Sequence, residues 1–231
     1  MNSIVAVVQA RMQSTRLKNK SLIHLKGFPI IYWVNNGLLK SKLTNSIIYA
    51  LPNSKSDDVL SEYIRNLNQK VFRGDQKNVL NRIYNAAKSC KSKYIVRICA
   101  DNPFISGKEI DNLIKFYFNN SYDYAYNHIP LNNKFPDGLG AEIVSFNVLK
   151  KLNDLVKDND HKEHVFNYIW DNKNKFKIGT FDPEDKNIAY PNLKLDIDTQ
   201  DELNFYSKID FNINTETNEI IKKIREHKYE N

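Results

Sequence analysis

The segment at residues 9–20 concentrates side chains that could bind phosphate. It holds two arginines, two lysines and two hydroxyl side chains within twelve residues, directly after an apolar run at residues 4–8. That run predicts a buried strand. Guanidinium groups hold phosphate oxygens with paired hydrogen bonds, and an ammonium adds a point charge. The segment therefore predicts a site for a polyphosphate.

Two aspartates elsewhere in the chain could hold a metal ion that accompanies a polyphosphate. Asp101 follows a predicted buried strand at residues 94–99, and Pro103 then ends the strand pairing. Asp198 follows a second strand-like segment, residues 193–197. Mg²⁺ on a nucleoside triphosphate commonly takes one or two protein carboxylates. The two aspartates are therefore candidate metal ligands.

Structural roles for the aspartates stay open on the residues alone. Asp101 could cap a helix near residue 107 or a turn, and Asp198 could be a plain helix N-cap, because aspartate is common in such places. Asp196 is a weaker candidate ligand, whose side chain on a strand would point to the same face as that of Asp198.

Strand and helix signals alternate along the chain, which indicates an α/β fold with a mostly parallel sheet and helices on both faces. The predicted strands are residues 3–8, 46–51, 70–72, 94–99, 123–126, 175–180 and 193–197. The predicted helices are residues 29–41, 56–68, 76–90, 107–119, 147–157, 160–172, 199–208 and 215–228. Residues 139–145 are expected to begin an antiparallel excursion. Ser56, Asp57 and Asp58 are expected to cap the second helix, and Asp75 is a candidate cap for the third.

Composition narrows the class of protein. The chain has 231 residues, of which 41% are hydrophobic and 26% charged, as in ordinary globular proteins. Its longest apolar runs fall well short of the roughly 20 residues that span a membrane. A short strand and a polar loop stand where a signal peptide would, so we expect a cytoplasmic protein. Cys90 and Cys99 agree with a reducing compartment and are expected to be buried thiols.

The net charge of +7 fits a nucleic acid, an anionic surface or a polyanionic small substrate. The basic residues are spread along the chain and mixed with acidic ones, without a run of five or six. We therefore expect no nucleic-acid partner and no membrane partner.

The first motif resembles the signature of the cytidylyltransferases that activate sugars, especially the spore-coat polysaccharide type, with a close variant in the deoxy-octulosonate cytidylyltransferases. The family pattern is Q-A-R-M-x-S-T-R-L-P-G-K, and the matching positions here are Gln9, Ala10, Arg11, Met12, Ser14, Thr15, Arg16, Leu17 and Lys20. Lys18 and Asn19 replace the family's Pro-Gly, so the backbone freedom of a glycine is lost.

Both aspartate motifs extend the resemblance. Residues 96–105 are similar to V-R-I-x-G-D-x-P-L-I, where Asp101 matches the metal-binding aspartate and Ala100 replaces a common glycine. Residues 195–203 are similar to V-D-T-P-E-D-L, where Asp198 matches the second metal-binding carboxylate. The resemblance implies Mg²⁺ as the cofactor.

Further segments resemble the family's nucleotide loop and acceptor pocket. Residues 71–82 are similar to V-x-R-G-x-x-x-D-V-L-x-R-Y, residues 135–143 to P-x-G-L-D-x-E, and residues 160–165 to D-x-E-H-V. Glu142 could bind acceptor hydroxyls or be an exposed strand residue. His161 and His164 stand three residues apart on a predicted helix, but without a third ligand nearby zinc is disfavoured. Contact with an acidic acceptor or a partner subunit suits the two histidines better.

The resemblance implies four sets of site residues. The catalytic set is Arg11, Arg16, Lys20 and Asp101, and the metal set is Asp101 and Asp198. The nucleotide-binding set is Gln9, Ala10, Arg11, Met12, Ser14, Arg16, Lys20, Arg73 and Asp101. The acceptor-binding set is Arg97, Asn102, Gly138, Glu142, His161 and His164.

The resemblance also implies a fold, a reaction and an assembly. The fold is a single-domain Rossmann-like nucleotidyltransferase fold over residues 1–231, with residues 1–128 mainly for CTP, 129–190 for the acceptor and dimerisation, and 191–231 for the second metal carboxylate and closing helices. The reaction is transfer of CMP from CTP to a sugar acid, with release of pyrophosphate. A sugar phosphate or other small phosphate, giving a CDP-linked product, is an alternative. A non-catalytic anion- or RNA-binding protein is another, and relatives of this fold usually form homodimers.

Overall fold

Strands and helices alternate through most of residues 3–229, which the computed structural model describes. In chain order they are β1 (Ile4–Gln9), β2 (His24–Leu25), β3 (Phe28–Pro29), α1 (Ile30–Leu39), β4 (Ser46–Pro52), α2 (Asp58–Asn66), β5 (Lys70–Gly74), α3 (Val79–Ser89), β6 (Tyr94–Cys99), α4 (Gly107–Asn120), β7 (Tyr124–Tyr126), β8 (Glu142–Ser145), α5 (Phe146–Leu155), α6 (Asn159–Glu163), α7 (Asn167–Asp171), β9 (Ile178–Gly179), α8 (Gln200–Lys208) and α9 (Thr217–Tyr229). The α/β class predicted from the alternation is confirmed.

The apolar strand β1 lies inside a mixed sheet of order β5-β4-β1-β6-β8-β7-β9. It pairs in parallel with β4 and β6, and its last residue, Gln9, is level with Ala50 and Cys99. The carboxyl ends of three neighbouring strands therefore meet at one edge of the sheet. Strand β8 is antiparallel to β6 and β7, as the excursion after residue 139 predicts.

The sheet is covered on both faces because successive side chains of a buried strand point in opposite directions. Ala6 and Val8 of β1 pack in a core with α1, α2 and α4, whereas Val5 and Val7 pack with α3, α5 and α7. A third core joins Trp33 of α1 to α8 and α9. The site at the sheet edge thus stands on a rigid, two-sided core.

Three predicted elements differ in the structure. The helix predicted at 160–172 is divided into α6 and α7, because the chain leaves helical geometry at His164 and buries both Val165 and Phe166. The strand predicted at 175–180 is reduced to β9. The segment 193–197 buries alternate residues as a strand would, but its backbone pairs with loops instead.

Two other expectations were tested by the structure. Cys90 and Cys99 are both partly exposed, so the prediction of buried thiols is wrong. Among residues 3–229, none of the helices has the length and apolar character needed to cross a bilayer.

Candidate active site

A cavity of about 630 Å³ opens at the carboxyl edge of the sheet, above β1 and β6. Most of its wall is the loop that follows β1, and Ser56, Cys99, Ala100 and Asp101 complete it. The cavity therefore lies where an open α/β sheet binds ligands. Its wall carries the arginines and lysines of residues 9–20, the segment predicted to bind phosphate.

Lys20 stands between the two candidate metal ligands. Its Nζ lies 2.8 Å from Asp101 Oδ2 and 2.7 Å from Asp198 Oδ1. The side chains of Lys20 and Asp198 are only 14% and 12% exposed. Burial alone would lower the pKa of Lys20, but the two carboxylates outweigh it and raise the pKa above its usual 10.5. The structure thus brings three predicted site residues together at one point.

Neither aspartate is used as a helix cap. Helix α8 is capped by Thr199, in a capping box completed by Glu202, and helix α4 is capped by Ser106. The N-cap interpretation of Asp198 is therefore wrong, and so is that of Asp101 for the helix near residue 107. Both carboxylates instead contact Lys20, and Asp101 lines the cavity.

The other two cations of the predicted catalytic set lie nearer to solvent. Arg16 Nη2 is 2.8 Å from Asp198 Oδ2, and its side chain is 64% exposed. Arg11 Nη1 is 3.7 Å from Glu163 Oε1 of α6. Exposed ion pairs of this kind contribute little to stability, so both guanidinium groups can turn to an anionic ligand at low cost.

The loop keeps a left-handed turn although it lacks the family's glycine. Asn19 has φ 57° and ψ 25°, in the left-handed region. Asparagine is one of the few residues other than glycine that adopt this conformation readily. The Lys18-Asn19 replacement therefore preserves the backbone conformation that a glycine would supply, and the turn delivers Lys20 to the aspartates.

Asp57 anchors the loop and was not predicted to do so. Its buried carboxylate accepts a hydrogen bond of 2.7 Å from the Met12 amide and one of 3.0 Å from the Ser54 hydroxyl. It makes no side-chain capping bond to α2, so the expectation that residues 56–58 cap this helix is wrong for Asp57. An aspartate before a helix is usually a cap, and this ordinary signal masked the contact with Met12.

Two arginines of residues 71–82, the segment that resembles the family's nucleotide loop, donate hydrogen bonds to backbone carbonyls. Arg73 donates to the carbonyls of Pro52 and Ser54, at 2.7 and 2.6 Å, and pairs with Asp58 at 2.9 Å. Arg73 does not line the cavity wall described above. Arg82 is fully buried and donates to carbonyls that include that of Ala50. The structure therefore places Arg73 as a brace for the β4–α2 loop.

The candidate cap of the third helix has a different role. Asp75 accepts from the amides of Lys77 and Asn78, which closes a turn before α3. The N-cap of α3 is Asn78, whose side chain accepts from the Asn81 amide. The expectation that Asp75 caps this helix is therefore wrong.

Arg97 and Glu142 of the predicted acceptor set form a buried ion pair beneath the cavity. Arg97 Nη1 bonds to Glu142 Oε2, and the Tyr124 hydroxyl donates to Glu142 Oε1 at 2.6 Å. The Glu142 side chain is 5% exposed, so its interpretation as an exposed strand residue is wrong. Arg97 also donates to Gln9 Oε1, which connects the pair to the cavity wall.

Asp196 and His128 are partly buried polar side chains, 16% and 20% exposed. Burial raises the pKa of Asp196 to about 6, although Lys194 Nζ stands 3.3 Å from its Oδ2. Burial lowers the pKa of His128 below 6.5, which keeps its imidazole neutral near pH 7. Asp196 Oδ1 and His128 Nδ1 are both buried without a hydrogen-bond partner in the described range. Neither residue is part of the cavity wall described above.

The remaining predicted acceptor residues are divided between the cavity edge and the surface. Gly138 has φ +84°, and a Cβ there would lie 2.9 Å from the Asp196 amide and 3.4 Å from Asn102 Oδ1, so only glycine fits without strain. His161 bridges Asp158 and Asp171 at 2.6 and 2.8 Å. His164 lies exposed, 3.8 Å from Asp160.

The donor chemistry of the aspartate pair suits a hard divalent cation. Asp101 and Asp198 offer carboxylate oxygens that already converge on one ammonium. Groups of three or more His, Cys, Asp or Glu arranged to hold a metal do not occur in the part of the chain that the structure describes. Mg²⁺ often binds through one or two carboxylates plus substrate phosphates, so two ligands are sufficient.

Comparisons with known proteins agree with this geometry. A family model described as Cytidylyltransferase matches residues 5–228. The Bacillus subtilis spore coat polysaccharide biosynthesis protein SpsF is 28% identical to this chain over 207 residues, which are 87% of this chain and 84% of the relative.

Solved structures share the fold. A cytidylyltransferase from Leptospira borgpetersenii superposes with a TM-score of 0.89 at 24% identity, covering 99% of this chain and 96% of the other. A CMP:2-keto-3-deoxy-manno-octonic acid synthetase complexed with CTP superposes with a TM-score of 0.69 at 14% identity, covering 90% and 98%.

Proposed function

The chain belongs to the cytidylyltransferase family, and we propose that it transfers CMP from CTP to a sugar acid with release of pyrophosphate. The observation that carries the proposal is the meeting of Lys20 with Asp101 and Asp198 at the wall of a cationic cavity. A nucleotidyl transfer needs cations for the triphosphate and carboxylates for a metal within one small volume, and this point has both.

CTP is the proposed donor. Arg11, Arg16 and Lys20 line a cavity of about 630 Å³ and would face its triphosphate. The acceptor hydroxyl oxygen attacks the α-phosphorus and its proton passes to solvent. The bond from the α-phosphorus to the oxygen that bridges it to the β-phosphorus breaks, and pyrophosphate leaves with the negative charge. Fixed cations stabilise charge that develops on a leaving group more strongly than charge already present in the substrate. We assign that role to the two guanidinium groups and the Lys20 ammonium.

Mg²⁺ is the proposed cofactor, held by Asp101 and Asp198. When bound, a divalent cation neutralises phosphate oxygens and stabilises the charge of the transition state. The ammonium of Lys20, which contacts both carboxylates in this structure, would then turn to the triphosphate. The protein itself contributes the positions of the two carboxylates, whose loops are joined by a backbone hydrogen bond from the Ile197 amide to the Asp101 carbonyl.

A sugar acid is the proposed acceptor, in line with the names of the relatives. SpsF carries a name from polysaccharide biosynthesis, and the synthetase complexed with CTP is named for a keto-deoxy sugar acid. We further propose, from the family, that the enzyme acts in the cytoplasm as a homodimer.

Pyrophosphate release tests the proposal. The assay combines CTP and Mg²⁺ with a panel of sugar acids and sugar phosphates, and ATP, GTP and UTP serve as nucleotide controls. We expect release with CTP and one sugar acid. Release with a sugar phosphate alone would make the product CDP-linked instead. Absence of both release and CTP binding, together with salt-dependent binding to RNA, would overturn the enzymatic proposal.

Two variants connect the assay to the site. Arg11→Ala and Asp101→Asn should each lower turnover by about a hundredfold, the usual effect of removing one transition-state contact. Arg65→Ala and Asp154→Asn, which alter exposed residues outside the cavity, are the matched controls and should retain activity. Wild-type turnover in either site variant would contradict the assigned roles.

A further inference from the structure

Gln9 has one fixed orientation of its side-chain amide. Its Oε1 accepts two hydrogen bonds from Arg97, at 3.1 Å from Nε and 2.8 Å from Nη2. A guanidinium group has only donors, so the atom that faces it must be the amide oxygen. The chemistry of Arg97 therefore decides which end of the Gln9 amide points away from β6.

Arg97 itself cannot turn. It is 13% exposed and paired with the buried Glu142, which the Tyr124 hydroxyl holds at 2.6 Å. Turning Arg97 away would leave the Glu142 carboxylate charged and unpaired in the core, which is strongly unfavourable. The Arg97–Glu142 ion pair thus fixes the orientation of the Gln9 side-chain amide before any ligand binds.

The nitrogen of the amide is what remains for a ligand. Gln9 lines the cavity, and its Nε2 has no hydrogen-bond partner among residues 3–229. An amide NH₂ offers two donors and no acceptor. It suits a hydroxyl, carbonyl or carboxylate oxygen and disfavours an ammonium group.

Gln9 lies on the side of the cavity away from the brace formed by Arg73. Its side chain bonds to β6, the strand that leads into Asp101, and β6 pairs with β8. Segment 135–143, the proposed acceptor wall, leads directly into β8. The Gln9 side chain therefore lies toward β6 and β8, the strands next to the proposed acceptor wall.

We propose that Gln9 selects the acceptor by donating a hydrogen bond from Nε2 to an acceptor oxygen. The inference rests on the proposed function and refines it, because Gln9 then belongs to the acceptor subsite. Arg97 and Glu142 become positioning residues that act through Gln9, whose amide they hold with its nitrogen toward the substrate.

Two substitutions of Gln9 test the proposal. Gln9→Glu can still accept both hydrogen bonds from Arg97 but places an oxygen where the donor was. We expect KM to rise about tenfold, measured with the sugar acid that gives the highest turnover. The rise is expected because one hydrogen bond is lost and two acceptor oxygens then face each other. The Kd for CTP with Mg²⁺, by calorimetry, should stay within about twofold in the uncharged variant Gln9→Met, a result that would contradict the expectation that Gln9 binds the nucleotide.

Gln9→Met is the matched variant. It removes the donor and also the acceptor of Arg97, so KM should rise similarly while the melting temperature falls. If Gln9 were only a partner for Arg97, Gln9→Glu would keep the wild-type KM, and the proposal would be wrong. Weaker binding of CTP by Gln9→Met, seen as a higher Kd, would also overturn the proposal, in favour of a nucleotide contact.

Wild-type enzyme separates this inference from the proposed function. Pyrophosphate release by the wild type together with an unchanged KM in Gln9→Glu rejects the role of Gln9 and leaves the reaction standing. Wild-type enzyme that releases no pyrophosphate with CTP and any acceptor rejects the reaction, and the inference about Gln9 falls with it.

Discussion

Lys20 and Asp198 are 178 residues apart in the chain, yet Lys20 Nζ lies 2.7 Å from Asp198 Oδ1. The same ammonium lies 2.8 Å from Asp101 Oδ2. A divalent cation bound by these two carboxylates would compete with the ammonium for the same oxygens. The competition makes metal affinity depend on where Lys20 points.

Lys20→Met should therefore bind a metal more tightly while it loses activity. Removal of the positive charge beside both carboxylates should strengthen Mn²⁺ binding about tenfold, or about 1.4 kcal/mol, in nucleotide-free enzyme. The measurement is free Mn²⁺ by electron paramagnetic resonance. Turnover should fall about a hundredfold, because the triphosphate loses a contact.

Lys18→Met is the control for that experiment. It removes a cation from the same loop, at a cavity-lining position where the structure gives no ion pair with Asp101 or Asp198. Its Mn²⁺ affinity should change by less than about twofold, an effect of long-range charge only. Equal Mn²⁺ affinities in wild type and Lys20→Met would contradict the competition.

Asn19→Ala should weaken both stability and CTP binding. Alanine in the left-handed conformation costs about 1 kcal/mol more than asparagine, and Lys20 follows directly. We expect the free energy of unfolding in urea to fall by that amount and KM for CTP to rise. Asn19→Gly should restore both, since glycine carries no such cost.

Asn68 provides the control, because it has φ 58° and is exposed far from the cavity. Asn68→Ala should lose similar stability with KM for CTP unchanged. If Asn19→Ala and Asn68→Ala behave alike in KM, the left-handed turn has no part in placing Lys20.

Glu142→Gln should destabilise the protein strongly at neutral pH. The buried Arg97 would lose its counter-charge, at a cost of about 3 kcal/mol or more. Burial pushes the pKa of Glu142 up, but His128, Arg97 and Tyr124 hold it below 4.5. The carboxylate therefore stabilises the fold fully above pH 4.5 and loses this effect as pH falls through the lowered pKa. Urea unfolding should show the gap to wild type closing below pH 4.5.

Glu109→Gln is the control of opposite sign. Burial raises the pKa of Glu109 above 4.5, so its charged form weakens the fold at neutral pH. The amide removes that cost and can still accept from Asn112. Stability at pH 7 should equal or exceed that of the wild type. A large loss in Glu109→Gln would show that loss of any buried carboxylate is harmful and that the Arg97 pairing is not special.

Asp57→Ala should make the loop that follows β1 more mobile. The Met12 amide would lose its buried partner, which costs about 1–3 kcal/mol of stability. We expect a higher KM for CTP, because the loop is anchored at Met12 before it reaches the cations. Asp58→Ala, next in the chain and 66% exposed, should cost less than about 1 kcal/mol. Equal effects in the two variants would argue against a specific anchor.

Much of this arrangement could be predicted from local pattern. The apolar run of β1 and the helix-like spacing in α3 and α4 give the right elements, since burial on a sheet or helix sets a period. Asp101 and the basic loop could be assigned to one edge because loops after parallel strands share an edge. Asp198 follows no named strand of the described structure, and its place beside Lys20 depends on the docking of its segment against the Asp101 loop.

Other features depend on long-range packing that no local pattern shows. The break between α6 and α7 follows from the burial of adjacent residues, Val165 and Phe166. The burial of Glu142 follows from its register opposite Arg97 on β6. Asp57 has the sequence of an ordinary cap, and only the fold brings Met12 to it. Register and loop docking, rather than propensity, decide these contacts.

The segment that carries Asp198 is hydrogen-bonded to loops that come much earlier in the sequence. The Leu195 and Ile197 amides donate to the carbonyls of Asp137 and Asp101, at 2.9 and 3.0 Å. During translation the loop of Lys20 emerges from the ribosome long before Asp198 does. A nascent chain can thus assemble its central strands while it still lacks one of the two carboxylates. The proposed pair of metal ligands is therefore present only after synthesis has passed Asp198.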